Sequence, residues 1–131
     1  MLVKLVIVEP GSELVAELWG TRLRVASSIL CYSEGRAALA AAHRGRRLST
    51  TGYGRAREEF ESLQSELALV GIDGRLARGA GELAEEHKLR GYDAVHLASA
   101  LALGTDIALV SWDEDLKRAA AQRGCAVAPT G

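Results

Sequence analysis

Apolar positions along the chain fall into short blocks separated by stretches with helical spacing. Leu2-Val3-Lys4-Leu5-Val6-Ile7-Val8 is rich in β-branched residues and reads as a buried strand, stopped by Glu9-Pro10-Gly11. Ser12 stands where an N-cap belongs, and Leu14, Val15 and Leu18 carry helical spacing up to Gly20. A short strand is expected near Arg24 to Ser27. From Ile29 to Arg44, the residues Leu30, Ala37, Ala38, Leu39 and Ala41 predict a helix of high intrinsic propensity, and a second helix is expected over Gly54 to Glu66. Leu67 to Val70 reads as a strand, residues 74 to 87 and Tyr92 to Leu103 as helices, and Ile107 to Ser111 as a strand. A last helix over Glu114 to Arg123 leads to an edge strand at Cys125 to Ala128, with Pro129 behind it where no ladder donor is needed. No internal repeat or linker interrupts the pattern.

Strands alternating with helical segments indicate βαβ units, hence an α/β fold with a parallel sheet covered by helices. In such sheets ligands bind beyond the carboxyl ends of the strands, so the polar residues just after strands carry the interest. The chain has 131 residues, 48% of them apolar and 25% charged, which excludes a disordered or low-complexity protein and suits a single domain over 1–131. Its net charge of −1 assigns no partner, so any nucleic-acid contact must come from local patches. Cys31 and Cys125 are expected to be free thiols in a reduced compartment. Lys4 interrupts the first apolar block and no basic n-region precedes it, so it is not read as a signal peptide. Charged residues or glycines break every candidate for the roughly 18 apolar residues a membrane span needs. A cytoplasmic protein with no membrane partner is the expectation.

Four carboxylates stand out. Glu34 shares the helical stripe of Leu30, Ala37 and Ala38, where a carboxylate either reaches water at the stripe's edge or needs a cation. Asp93 opens the helix that carries His96, Leu97, Ala100 and Leu101, and satisfying free amides there is its plain structural role. Asp113 and Asp115 follow the strand Ile107 to Ser111, where one of them suits the N-cap of the last helix. Carboxylates that converge at a strand-end crevice repel one another unless a cation sits between them. Hard divalent ions such as Mg²⁺ exploit that arrangement, using a few carboxylates, waters and a substrate phosphate. A nuclease in which the ion activates water for in-line attack follows from such a set. Asp113-Glu114-Asp115 also admits phosphoryl transfer through an aspartyl intermediate, although little chain remains after it to supply further phosphate ligands.

Between Gly35 and Arg57 lie Arg36, Arg44, Arg46, Arg47, Arg55 and Arg57 with no acidic residue, and Tyr53 is interleaved among them. This segment is either a phosphate-contact surface with a stacking ring or a solvated face matched by Glu58, Glu59 and Glu61. Gly52-Tyr53-Gly54 is not a dinucleotide loop, because Arg57 stands where the third glycine belongs and no strand precedes it. His43, His87 and His96 have no zinc spacing with either cysteine, and His96 reads as a packed histidine.

Arg90-Gly91-Tyr92-Asp93-Ala94-Val95-His96-Leu97-Ala98-Ser99-Ala100, followed by Leu109-Val110-Ser111-Trp112-Asp113, resembles the PIN-domain toxins of VapBC toxin–antitoxin systems. Ser27 to Glu34 resembles the second acidic motif of that family, and Glu9-Pro10-Gly11-Ser12-Glu13 the loop after its first helix. The resemblance implies a PIN-like α/β/α sandwich with a central parallel sheet of about four to five short strands flanked by helices. It implies a Mg²⁺- or Mn²⁺-dependent endoribonuclease, the toxin of a type II system, with Glu34, Asp93 and Asp113 as catalytic metal ligands and Asp115 as an extra one. The implied partners are an RNA substrate such as tRNA or rRNA, a VapB-like antitoxin that docks arginines among the carboxylates, and a second copy in a homodimer.

The chain departs from the family at its beginning. The family opens with a central strand ending in an aspartate, followed by a helix with which Leu2 to Leu5 would align, whereas the first aspartate here is Asp73. Three explanations stand: a start downstream of the natural one, a degenerate domain, or Glu9 replacing the missing aspartate at the end of a Leu2 to Val8 strand. The first is the expectation adopted. The second makes the chain a catalytically impaired module that binds antitoxin or RNA without turnover.

Overall fold

The computed structural model describes residues 13–14, 16–17, 26–104 and 107–129. Along them run strand β1 (Ala26–Ser28), helices α1 (Leu30–Arg44) and α2 (Thr50–Ser65), strand β2 (Ala68–Val70), helices α3 (Gly74–His87) and α4 (Gly91–Ala102), strand β3 (Ala108–Val110), helix α5 (Glu114–Gln122) and strand β4 (Ala126–Ala128). Residues 13–14 and 16–17 are helical, as the Ser12 to Gly20 pattern requires. The expectations for Leu2 to Val8, Glu9 and residues 24–25 lie outside the described residues. The chain divides into two compact units, one containing Leu30–Ala68, the other containing Ser27–Ile29 and the chain from Leu69 onward.

In the first unit α1 and α2 close around one ring. Leu39, Ala42, Ala56 and Phe60 are buried, and Tyr32, Leu48 and Leu67 pack against them. Phe60 fits because Gly35 has no side chain, since a Cβ at 35 would collide with the ring. Ser49 caps α2 by accepting from the Gly52 amide at 3.0 Å, which starts the helix four residues before the expected Gly54. Gly52 lies inside the helix as well, because a capping serine ahead of it outweighs its low propensity. At the surface, Arg36 donates to the Tyr32 hydroxyl at 2.7 Å and to Glu61 at 3.0 Å, tying α1 to α2.

The second unit contains the larger core: Ala80, Leu83, Ala94, Leu97, Ala98, Leu109, Leu116, Ala119, Ala120 and Cys125. Asp73 caps α3 by accepting from the Leu76 amide at 2.8 Å. Its other end stops at Lys88 in the left-handed conformation (φ 55°, ψ 42°), after which Leu89 donates back to the Ala84 carbonyl and the chain turns into Arg90. Strands β3 and β4 are parallel, with Ala108 opposite Ala126 and Val110 opposite Ala128, and the Ser111 amide extends the ladder to the Ala128 carbonyl. Lys117, buried on α5, donates to the Pro129 carbonyl at 3.0 Å and pairs with Glu114. Both cysteines are free, as expected.

The fold is α/β, with the strands and helices in the expected order. Among the described residues the strands form two ladders, β1 with β2 and β3 with β4, where one sheet of about four to five strands was anticipated. Local pattern locates a strand, whereas its neighbours are chosen by contacts far apart in sequence. Among the described residues no helix is long and apolar enough to cross a membrane.

Candidate active site

Helix α4 begins at Gly91 with Arg90 as its N-cap residue, and Asp93 sits in its first turn. The apolar face of α4, with Ala94, Leu97 and Ala98 buried, carries Asp93 inward, and only 6% of the residue remains exposed. A carboxylate so enclosed needs a cation or donors. Arg90 supplies one: its Nε donates to Asp93 Oδ2 at 2.9 Å.

Asp113 follows β3 and caps α5, its Oδ1 accepting from the Leu116 amide at 2.8 Å. The Asp113 amide in turn donates to Ser111 Oγ at 3.1 Å, which fixes the turn between strand and helix. Its second oxygen, Oδ2, is left for other work and faces Arg90 NH2 at 3.4 Å. One guanidinium therefore bridges two carboxylates that come from different elements, 20 residues apart in sequence, as 113 − 93 gives. Asp93 raises the Arg90 pKa above the ordinary guanidinium value, first through the hydrogen bond and then through its charge, and Tyr92 and Asp113 add smaller shares. A cation whose pKa is raised on folding contributes fully below its unfolded value and loses that contribution only as the pH rises through the folded one, so Arg90 stays charged across the neutral range. The Arg90 guanidinium also lies over the Tyr92 ring at 5.1 Å, and Tyr92 meets His96 edge-on at 6.2 Å.

The other two candidate carboxylates are placed differently. Asp115 is exposed on α5 and pairs with Arg118 at 2.7 Å, one turn along the same helix. Glu34 belongs to the first unit and lies on the exposed side of α1 with Ala37, Ala38 and Ala41. The expected inward face of α1 is thus corrected: Gly35, Leu39 and Ala42 are the residues it buries. An alanine-rich helix has a nearly flat apolar pattern, so the close approach of Gly35 to Phe60 decides which side turns in.

Two residues of the site escaped the sequence reading. Arg90 was part of a recognised motif but had no role, because a cation at an N-cap makes no capping bond. Ser111 was read as the end of a strand, although Ser-x-Asp at a strand end is the signal of the turn it makes.

Among the described residues no group of three or more His, Cys, Asp or Glu side chains is gathered to hold a metal. The pair Asp93–Asp113 nevertheless fits a hard divalent ion: both are oxygen donors, both direct Oδ2 at one cationic group, and Asp113 stays one-third exposed for solvent or substrate to enter.

The PIN domain model matches residues 1–122. Ribonuclease VapC45 of Mycobacterium tuberculosis strain CDC 1551 / Oshkosh is 43% identical over 128 residues, which cover 97% of this chain and 89% of the relative. Ribonuclease VapC49 of Mycobacterium tuberculosis strain ATCC 25618 / H37Rv matches to the same extent.

Proposed function

The chain belongs to the PIN-domain family, and on that premise we propose that it is the toxin of a type II toxin–antitoxin pair, a Mg²⁺- or Mn²⁺-dependent endoribonuclease. The observation that carries the reading is the shared cation position between Asp93 and Asp113. Two carboxylates held this way by the fold repel each other, and the arginine between them offsets a charge that a metal ion offsets better.

Asp93, locked by burial, and Asp113, locked by its cap and by Ser111, are the fixed ligands. Glu34 is a further candidate by its motif alone, and Asp115 by its place after β3. When bound, the divalent ion supplies charge neutralisation at the phosphodiester and activation of the attacking water. Arg90, two-thirds exposed, is free to swing from the carboxylates to a substrate phosphate when the ion takes its place. The same acidic pair accepts an arginine from outside as readily as one from within, which is the chemistry a VapB-like antitoxin would use. A homodimer, a cytoplasmic location and one catalytic domain over 1–131 complete the proposal.

The test is Mn²⁺-dependent cleavage of a structured RNA, beside Asp93→Asn and EDTA controls. Cleavage that falls on the order of 10²- to 10³-fold with Asp93→Asn, and disappears in EDTA, is the expected result. Cleavage that survives either change overturns the assignment.

A further inference from the structure

A concave site lies within the first unit. The end of α1 presents Ala40, His43 and Arg44, and the start of α2 presents Tyr53, Gly54 and Arg57, around a cavity of about 390 Å³. Both sets have spacings of three and four residues, so each lies on one face of its helix. Neither Arg44 nor Arg57 is paired with a carboxylate among the described residues, and both are exposed. Two cations facing one hollow repel each other, and an anion between them relieves the repulsion. Arg57 is held over the Tyr53 ring at 5.5 Å, and His43 meets that ring nearly at right angles at 4.7 Å. Gly54 leaves room beside the ring: a Cβ there would meet nothing within 4 Å.

We propose that this hollow is a subsite for one nucleotide of a single-stranded RNA, its phosphate between Arg44 and Arg57 and its base against Tyr53. The inference rests on RNA being the ligand of the proposed function, and it names where the strand is held outside the cleavage chemistry. The volume is at the lower end of ligand cavities, roughly 300–1,000 Å³, which suits one nucleotide and not a helix. An anion alone would need no aromatic wall, whereas a base stacks on one. A duplex hides its bases from such a wall, so the strand must be unpaired there.

The experiment is anisotropy with a labelled single-stranded oligoribonucleotide, in EDTA so that nothing is cleaved. Gly54→Leu fills the hollow with a better helix former, and its thermal midpoint is not expected to fall. It should weaken binding about tenfold, the scale of one lost stacking contact. Arg57→Gln should lower the slope of log affinity against log salt by about 0.7, one phosphate contact fewer. Arg78→Gln, which removes an exposed charge from α3 in the other unit, should change neither. Wild-type affinity in both pocket variants overturns the proposal, as does a fully paired duplex that loses as much affinity to Gly54→Leu as the single strand. A free mononucleotide that competes as well as the strand also overturns it. Cleavage is scored separately: a chain that cleaves RNA but ignores the pocket variants defeats this inference alone, and one that shows pocket-dependent binding but never cleaves defeats the nuclease reading alone.

Discussion

The two units treat like charges in opposite ways. In the second, two carboxylates share one arginine, and the pair is fixed from below by a buried helix turn and a capping bond. In the first, two arginines face a common hollow with no carboxylate between them. The acidic pair meets its counter-charge within the chain, while the basic pair meets no carboxylate among the described residues. Their cores differ as well: the buried cluster of the second unit has ten small and medium residues, whereas that between α1 and α2 is Leu39, Ala42 and Ala56 around one ring, Phe60.

The sharpest way to break that contrast is Phe60→Ala. It should cost about 3–5 kcal/mol, read from the denaturant midpoint, because the α1–α2 core has no other large fully buried group but Leu39. A loss under about 1 kcal/mol would show that the ring is not the anchor. Next in size, Arg90→Gln leaves the carboxylates without their internal cation and should tighten Mn²⁺ binding about tenfold by titration calorimetry, close to 1.4 kcal/mol. Unchanged affinity would mean the arginine and the ion do not compete. Asp113→Ala should lower stability by about 1 kcal/mol through the lost cap, whereas Asp113→Asn, which keeps a capping oxygen, should lower it by a few tenths. The last effect is a gain: Lys88→Gly relieves a left-handed lysine and should raise stability by a few tenths of a kcal/mol, seen as a higher Tm.

Much of this was legible in the sequence. The α3 pattern over residues 74 to 87 and the helix from Tyr92 to Leu103 match Gly74–His87 and Gly91–Ala102, because leucine and alanine spacing and clear end signals agree there. Asp93 and Asp113 stand where the pattern sets them, at a helix start and after a strand. What was not legible was relational. Nothing local says which strands pair, that Glu34 turns outward, or that Arg90 reaches both aspartates. Each of those depends on what another segment brings: the Phe60 ring for α1, and the left-handed turn at Lys88 for Arg90.

Asp113 divides its labour between its two oxygens, one ending a helix and the other facing the cation. A lineage that replaces this aspartate has few silent routes at that position. Most replacements would fray α5 along with the chemistry, and the survivors would be drawn from the short list of side chains that can begin a helix. Loss of the acid by drift at 113 would therefore leave a recognisable trace, another capping residue in its place, in chains that still fold.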